Sequence, residues 1–138
     1  MKKINLAIQK SGRLNKESIS LLEKAGIKFD NFKDQLKVDC QNFPLNIYFL
    51  RNSDIPRYLS DGVVDIAIIG QNLIRESELK IDEIMNLNFS RCRVSIAIPL
   101  NMKYNGLKDL NNLKIATSYP NTLKKFLSNN NLNCEIHK

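Results

Sequence analysis

The chain has no tryptophan, one histidine, three cysteines, four prolines and five glycines in 138 residues. Each scarcity removes a class of function. The single histidine, His137, is the next-to-last residue, so a Ser-His-Asp or Cys-His mechanism has no base to draw on. Cys40, Cys92 and Cys134 are odd in number and far apart, which is neither a disulfide framework nor a metal-ligand spacing. No window approaches a transmembrane length, and Met-Lys-Lys-Ile-Asn opens no signal-peptide core. These features read as a reduced, cytoplasmic protein with no membrane partner. Acidic residues are also few: 14 Asp and Glu against 21 Lys and Arg, a formal charge of +7. The lysines are dispersed, with no arginine-rich run, no zinc-finger spacing and no helix-turn-helix. The charge therefore points away from nucleic acid and is equally explained by a basic cleft for polyphosphates.

What is present is α/β grammar. Ile4-Asn5-Leu6-Ala7-Ile8 is a short apolar strand that runs into Gln9-Lys10-Ser11-Gly12-Arg13-Leu14. An amphipathic helix follows from about Asn15 to Lys24, with Ile19, Leu21, Leu22 and Ala25 on its apolar face and Gly26 as its stop. The turn places Lys10, Gly12 and Arg13 just before a helix N-terminus. Free N–H groups, the helix dipole and two cations there all favour an anion; a solvated basic turn is the alternative. Residues 36–39 and 45–50 alternate as strands around a turn at Gln41 to Pro44.

The segment from Arg51 to Gly70 is the most informative. Asp54-Ile55-Pro56 marks a helix start, with Asp54 as a cap and Pro56 in the first turn, and Asp61-Gly62 ends that helix. Asp65-Ile66-Ala67-Ile68-Ile69 reads as a buried central strand stopping at Gly70, where a backbone can approach a ligand at the carboxyl edge of the sheet. Asp54 has a second reading, orienting Arg13 or Arg51. Arg51 itself either contacts ligand or pairs with a neighbouring carboxylate. Further on, Arg93 to Pro99 reads as a strand and 107–110 as a helical turn. Lys114-Ile115-Ala116-Thr117 is a strand, Tyr119-Pro120-Asn121 opens a helix to about Ser128, and another strand starts at Cys134. Cys92 reads as a small buried residue at a strand start. Thr117, Ser118 and Tyr119 occupy a strand-to-helix turn whose N–H groups either are capped or receive phosphate or ribose hydroxyls.

Five motifs occur in one order: Ile-Gln-Lys-Ser-Gly-Arg-Leu at 8–14, Asp-Ile-Pro at 54–56, Asp-Gly-Val-Val-Asp-Ile-Ala-Ile-Ile-Gly at 61–70, Cys-Arg-Val at 92–94 and Ile-Ala-Thr-Ser-Tyr-Pro at 115–120. Together they resemble the catalytic subunit of ATP phosphoribosyltransferase, across essentially the whole chain. The resemblance implies an α/β fold of two lobes like a type II periplasmic binding protein, with 1–99 forming the first lobe without its returning strands and 100–138 beginning the second. It implies an N-terminal portion, because the family continues with a Gly-Ser-Val-Glu segment, then an acidic pair and the Thr-Gly-x-Thr-Leu loop that holds the ribose 5-phosphate. The implied reaction joins N1 of the ATP adenine to the anomeric carbon of phosphoribosyl pyrophosphate and expels pyrophosphate with Mg²⁺, the first step of histidine biosynthesis.

Lys10 and Arg13 are the implied catalytic cations, and Gly12, Leu14, Arg51, Asp54, Gly70, Thr117, Ser118 and Tyr119 the implied substrate contacts. No residue is assigned to a metal, and a homo-oligomer is expected. Ala67, where members commonly carry glycine, and Gln35, where many carry arginine, depart from the pattern. A solute-binding or anion-binding module of the same fold is the alternative reading.

Overall fold

A computed structural model describes all 138 residues. The chain divides into two compact units. The first holds 1–74 and 79–92; the second holds 75–78 and 93–138. The crossover expected near Pro99 falls inside the second unit.

The first unit is built on a four-stranded sheet, order β2-β3-β1-β4. Its strands are β1 (Ile4–Gln9), β2 (Lys37–Asp39), β3 (Leu45–Leu50) and β4 (Ile66–Ala67). β1 runs parallel to β3 and to β4, while β2 closes antiparallel on β3. Alternation along the strands sorts the core into two faces. Leu6, Ile8, Leu45, Ile47 and Phe49 pack with Ile19 and Leu22 of α1 (Gly12–Lys24). Ala7, Tyr48, Leu50, Ala67 and Ile69 pack with Ile55 and Leu59 of α2 (Ile55–Ser60). Helices on both faces explain why β1 and β3 carry apolar residues on both of their faces.

Two details of α1 depart from expectation. Leu21 and Ala25 stay exposed, leaving Ile19 and Leu22 as the buried stripe. The helix also begins earlier, at Gly12. Its far end does stop as expected: Gly26 has φ +80°, and Ile27 N–H donates to Leu22 O at 3.0 Å, a left-handed cap that satisfies the last carbonyls.

β4 is shorter and less central than the sequence suggests. It pairs only with β1, lies at the sheet edge, and leaves Ile66 39% exposed. Its start is tied down by Asp65, which accepts the Asn5 N–H at 2.7 Å. The expected strand from Arg93 to Pro99 is absent, and residues 93–97 are exposed. Alternating apolar residues make a strand only when a neighbour takes the backbone hydrogen bonds, and none pairs with this stretch. Cys92, expected to be buried, is exposed in the same run.

The second unit holds a parallel pair, β5 (Lys114–Ala116) and β6 (Glu135–His137), joined by helix α4 (Pro120–Asn129). Leu110, Leu123 and Leu127 form its buried centre, with Leu110 supplied by a 3₁₀ turn at Leu107–Leu110.

Candidate active site

The three parallel strands place their carboxyl ends on one edge of the first unit. Lys10 follows β1, Arg51 follows β3 and Gly70 lies just beyond β4. The register pairs Gln9 with Leu50, and Lys10 N–H donates to Leu50 O at 2.8 Å, so Lys10 and Arg51 lie on adjacent strand ends. The sheet therefore unites six of the expected positions: Lys10, Gly12, Arg13 and Leu14 after β1, and Arg51 and Asp54 after β3. Gly70 completes the edge, its carbonyl accepting the N–H groups of Leu73 and Ile74 at 3.0 and 3.2 Å to start the short helix α3 (Gln71–Ser77).

The turn at 10–14 has the chemistry of an anion site. Gly12 stands at φ +86°, a conformation that costs a residue with a Cβ, and this turns the chain from β1 into α1. Ser11 flanks the helix without a side-chain cap. The first-turn N–H groups have no acceptor inside the helix and form the positive end of its dipole. Lys10, Arg13 and Arg51 are all exposed, and none of them enters an ion pair. Leu14 is half-buried in the first turn and accepts the Ser18 hydroxyl at 2.6 Å through its carbonyl. Arg13 is oriented: its Nη2 donates to Arg91 O at 2.9 Å.

Asp54 does not act as either expectation had it. Asn52–Asp54 winds into a 3₁₀ turn that puts Asp54 at φ −90°, ψ −23°, and a capping side chain needs an extended backbone to fold back on the helix. No cap bond forms, and no ion pair with Arg13 or Arg51 exists. The carboxylate is exposed and accepts only the neighbouring Ser53 hydroxyl, at 3.4 Å.

The second unit carries Thr117, Ser118 and Tyr119 at the β5–α4 turn, but two of the N–H groups expected to be free there are engaged. Thr117 N–H donates to His137 O at 2.8 Å, and Tyr119 N–H to Thr117 Oγ1 at 2.9 Å. Pro120 has no donor to offer. The next two amides, Asn121 and Thr122, donate to the Glu76 carboxylate at 3.0 and 2.8 Å. Glu76 is thus the cap of α4, in place of Ser118 or Thr117. Burial opposes its ionisation, and the Asn121 and Thr122 bonds with the Lys138 charge outweigh that, holding the carboxyl below its ordinary range. Nothing local in the sequence marks Glu76, which lies 45 residues from Asn121.

No group of three His, Cys, Asp or Glu side chains is placed to hold a metal ion. Magnesium needs no such cage: it commonly binds one or two carboxylates and keeps water and substrate phosphates as its other ligands. Asp54 is the free carboxylate on this edge. No helix is long and apolar enough to cross a membrane.

Comparison with known proteins gives the family. The family model described as ATP phosphoribosyltransferase matches residues 51–138. The ATP phosphoribosyltransferase of Cytophaga hutchinsonii is 48% identical over 135 residues, covering 98% of this chain and 47% of that protein. That of Bacteroides thetaiotaomicron is 43% identical over 134 residues, covering 97% and 47%. The chain thus spans about half the length of the curated relatives it matches. Among solved structures, the ATP phosphoribosyl transferase (HisG:HisZ) complex from Thermotoga maritima superposes with a TM-score of 0.68 at 24% identity, over 97% of this chain and 63% of that one. This likeness supports a mixed α/β fold of the type II periplasmic-binding-protein kind. With the ordered motifs carried on these strand ends and turns, the chain belongs to the ATP phosphoribosyltransferase family.

Proposed function

We propose that this chain supplies one part of the active site of an ATP phosphoribosyltransferase. The enzyme would join N1 of ATP to the anomeric carbon of phosphoribosyl pyrophosphate and release pyrophosphate, the first step of histidine biosynthesis. The observation that carries this reading is the unpaired cationic edge formed by Lys10, Arg13 and Arg51 beside the first turn of α1.

Such a transfer has a loose transition state, with negative charge building on the departing pyrophosphate. The work of these residues is to hold a polyanion and stabilise that charge. Arg13 presents a planar fork suited to two phosphate oxygens, and Lys10 adds a point charge. Gly12 and the first-turn amides of α1 bring backbone donors close. Arg51 closes the edge from β3, and Gly70 offers close backbone approach. Leu14 and Asp54 flank the same site, and Thr117, Ser118 and Tyr119 are the second unit's candidates for substrate contact through their side chains. Mg²⁺ would supply charge neutralisation on the phosphates, with Asp54 a candidate carboxylate ligand. ATP and phosphoribosyl pyrophosphate are the proposed partners, in a cytoplasmic homo-oligomer that uses neither nucleic acid nor membrane. Because the ribose 5-phosphate loop of the family lies outside these residues, the chain alone is proposed to be inactive.

The test is adduct absorbance and pyrophosphate release from ATP and phosphoribosyl pyrophosphate with Mg²⁺, for this chain and for one extended to the length of its relatives. Turnover is expected only from the extended chain, and Arg13→Ala should reduce it about a hundredfold, as loss of a bidentate charged contact does. Full turnover by the 138-residue chain, or by the Arg13→Ala extended chain, would contradict the reading.

A further inference from the structure

We propose that Ser90 and Glu17 are positioning residues that hold the Arg13 guanidinium in place. This rests on Arg13 being a phosphate ligand, and it concerns residues that lie together in the first unit. Arg13 and Glu17 are one helical turn apart, so both project from the same face of α1. They reach adjacent residues of one segment: Arg13 Nη2 donates to Arg91 O at 2.9 Å, and the Glu17 carboxylate accepts the Ser90 hydroxyl.

The segment carrying that carbonyl does not hold its shape by secondary structure, since residues 78–106 have neither helix nor strand. Its backbone is also strained. Asn88 and Ser90 stand at φ +57° and +48°, left-handed conformations that cost a side-chain-bearing residue and persist only where the surroundings enforce them. The Ser90–Glu17 bond is the enforcing contact next to Arg91. It presents the Arg91 carbonyl to Arg13, and that carbonyl fixes the guanidinium plane. One N–H is used in this way. The remaining donors of the fork stay directed by a group that is already ordered, so binding an anion costs less side-chain freedom.

The experiment uses the whole 138-residue chain and two readouts. In the ligand-free protein, NMR of the Arg13 Nε–Hε group reports its order. Inorganic pyrophosphate, titrated by calorimetry, reports binding. The variants are Arg13→Ala, Glu17→Ala, Glu17→Gln and Ser90→Gly. Ser90→Gly removes the hydroxyl yet relieves the left-handed strain, so a purely structural role would leave it neutral or stabilised. Ser90→Gly and Glu17→Ala should mobilise the Arg13 side chain and weaken pyrophosphate binding about fivefold, with Glu17→Gln, which keeps an acceptor, close to the parent. An Arg13 side chain equally ordered in Ser90→Gly and Glu17→Ala would overturn the inference, whatever pyrophosphate does. Pyrophosphate binding untouched by Arg13→Ala would instead overturn the phosphate-site reading beneath it.

Discussion

Glu76 and Asn121 are joined by two hydrogen bonds across 45 residues: Asn121 N–H donates to Oε1 and Asn121 Nδ2 to the Glu76 carbonyl, each at 3.0 Å. With the Thr122 amide on the other carboxylate oxygen, Glu76 ties residues 75–78 to the start of α4. The folded pKa of this carboxyl is lowered, so the stabilisation is present above the ordinary glutamate value of 4.5 and is lost as pH falls through the lower folded value. Glu76→Ala should therefore destabilise the protein by about 1–2 kcal/mol at neutral pH, the usual scale for a lost helix cap. The difference from the parent should shrink in acid below the ordinary glutamate range. Thermal melts of both proteins across that pH series check this; a constant difference down to the lowest pH would rule out the ionised cap.

Glycine effects should separate by backbone angle. Gly12→Ala should cost about 1 kcal/mol, because φ is +86° there and only Gln9 Nε2, at 3.5 Å, lies near the added methyl. Gly106→Ala should be neutral or slightly stabilising, since Gly106 has an extended backbone at φ 173° and open space around it. Denaturant midpoints of the two variants decide. Equal losses would mean that conformation is not what selects glycine at position 12.

The sequence made the strands of the first sheet and most of its helices legible, because burial on two faces leaves a local signature. Leu6, Ile8, Ile47 and Phe49 alternate with Ala7 and Tyr48, and the structure sorts them to opposite faces as that pattern requires. The turns that carry Lys10, Gly12 and Arg51 follow directly from where those strands end. What was not legible depends on partners far along the chain. Arg93 to Ile98 has the pattern of a strand and is none, since no neighbour pairs with it. Ser118 and Thr117 looked like caps, but a carboxylate from residue 76 reaches the amides first. Asp54 looked like a cap as well, and the 3₁₀ turn before it removed the backbone geometry that capping needs.

The cysteines should react in order of access. Cys92 is exposed, Cys134 is half-buried with its thiol on Leu110 O at 3.0 Å, and Cys40 is buried in the core of the first unit. Burial, helped by the Asp39 charge and opposed by Lys3, pushes the Cys40 thiol pKa up and lowers its thiolate fraction. A chromogenic disulfide reagent should label Cys92 first and Cys134 more slowly, with Cys40 reacting only on unfolding. Mass spectrometry of partly labelled protein gives the order. Early labelling of Cys40 would contradict the packing of the first unit.

The central claim is that the carboxyl edge of β1 and β3 binds the polyphosphate of a phosphoribosyl-transfer substrate. The most direct measurement is a backbone amide NMR titration of this chain with inorganic pyrophosphate. Shifts should concentrate at residues 10–14 and at Arg51, with the amides of Asn121 and Thr122 unmoved because Glu76 already occupies them. Shifts centred on the start of α4, or none at residues 10–14, would contradict it.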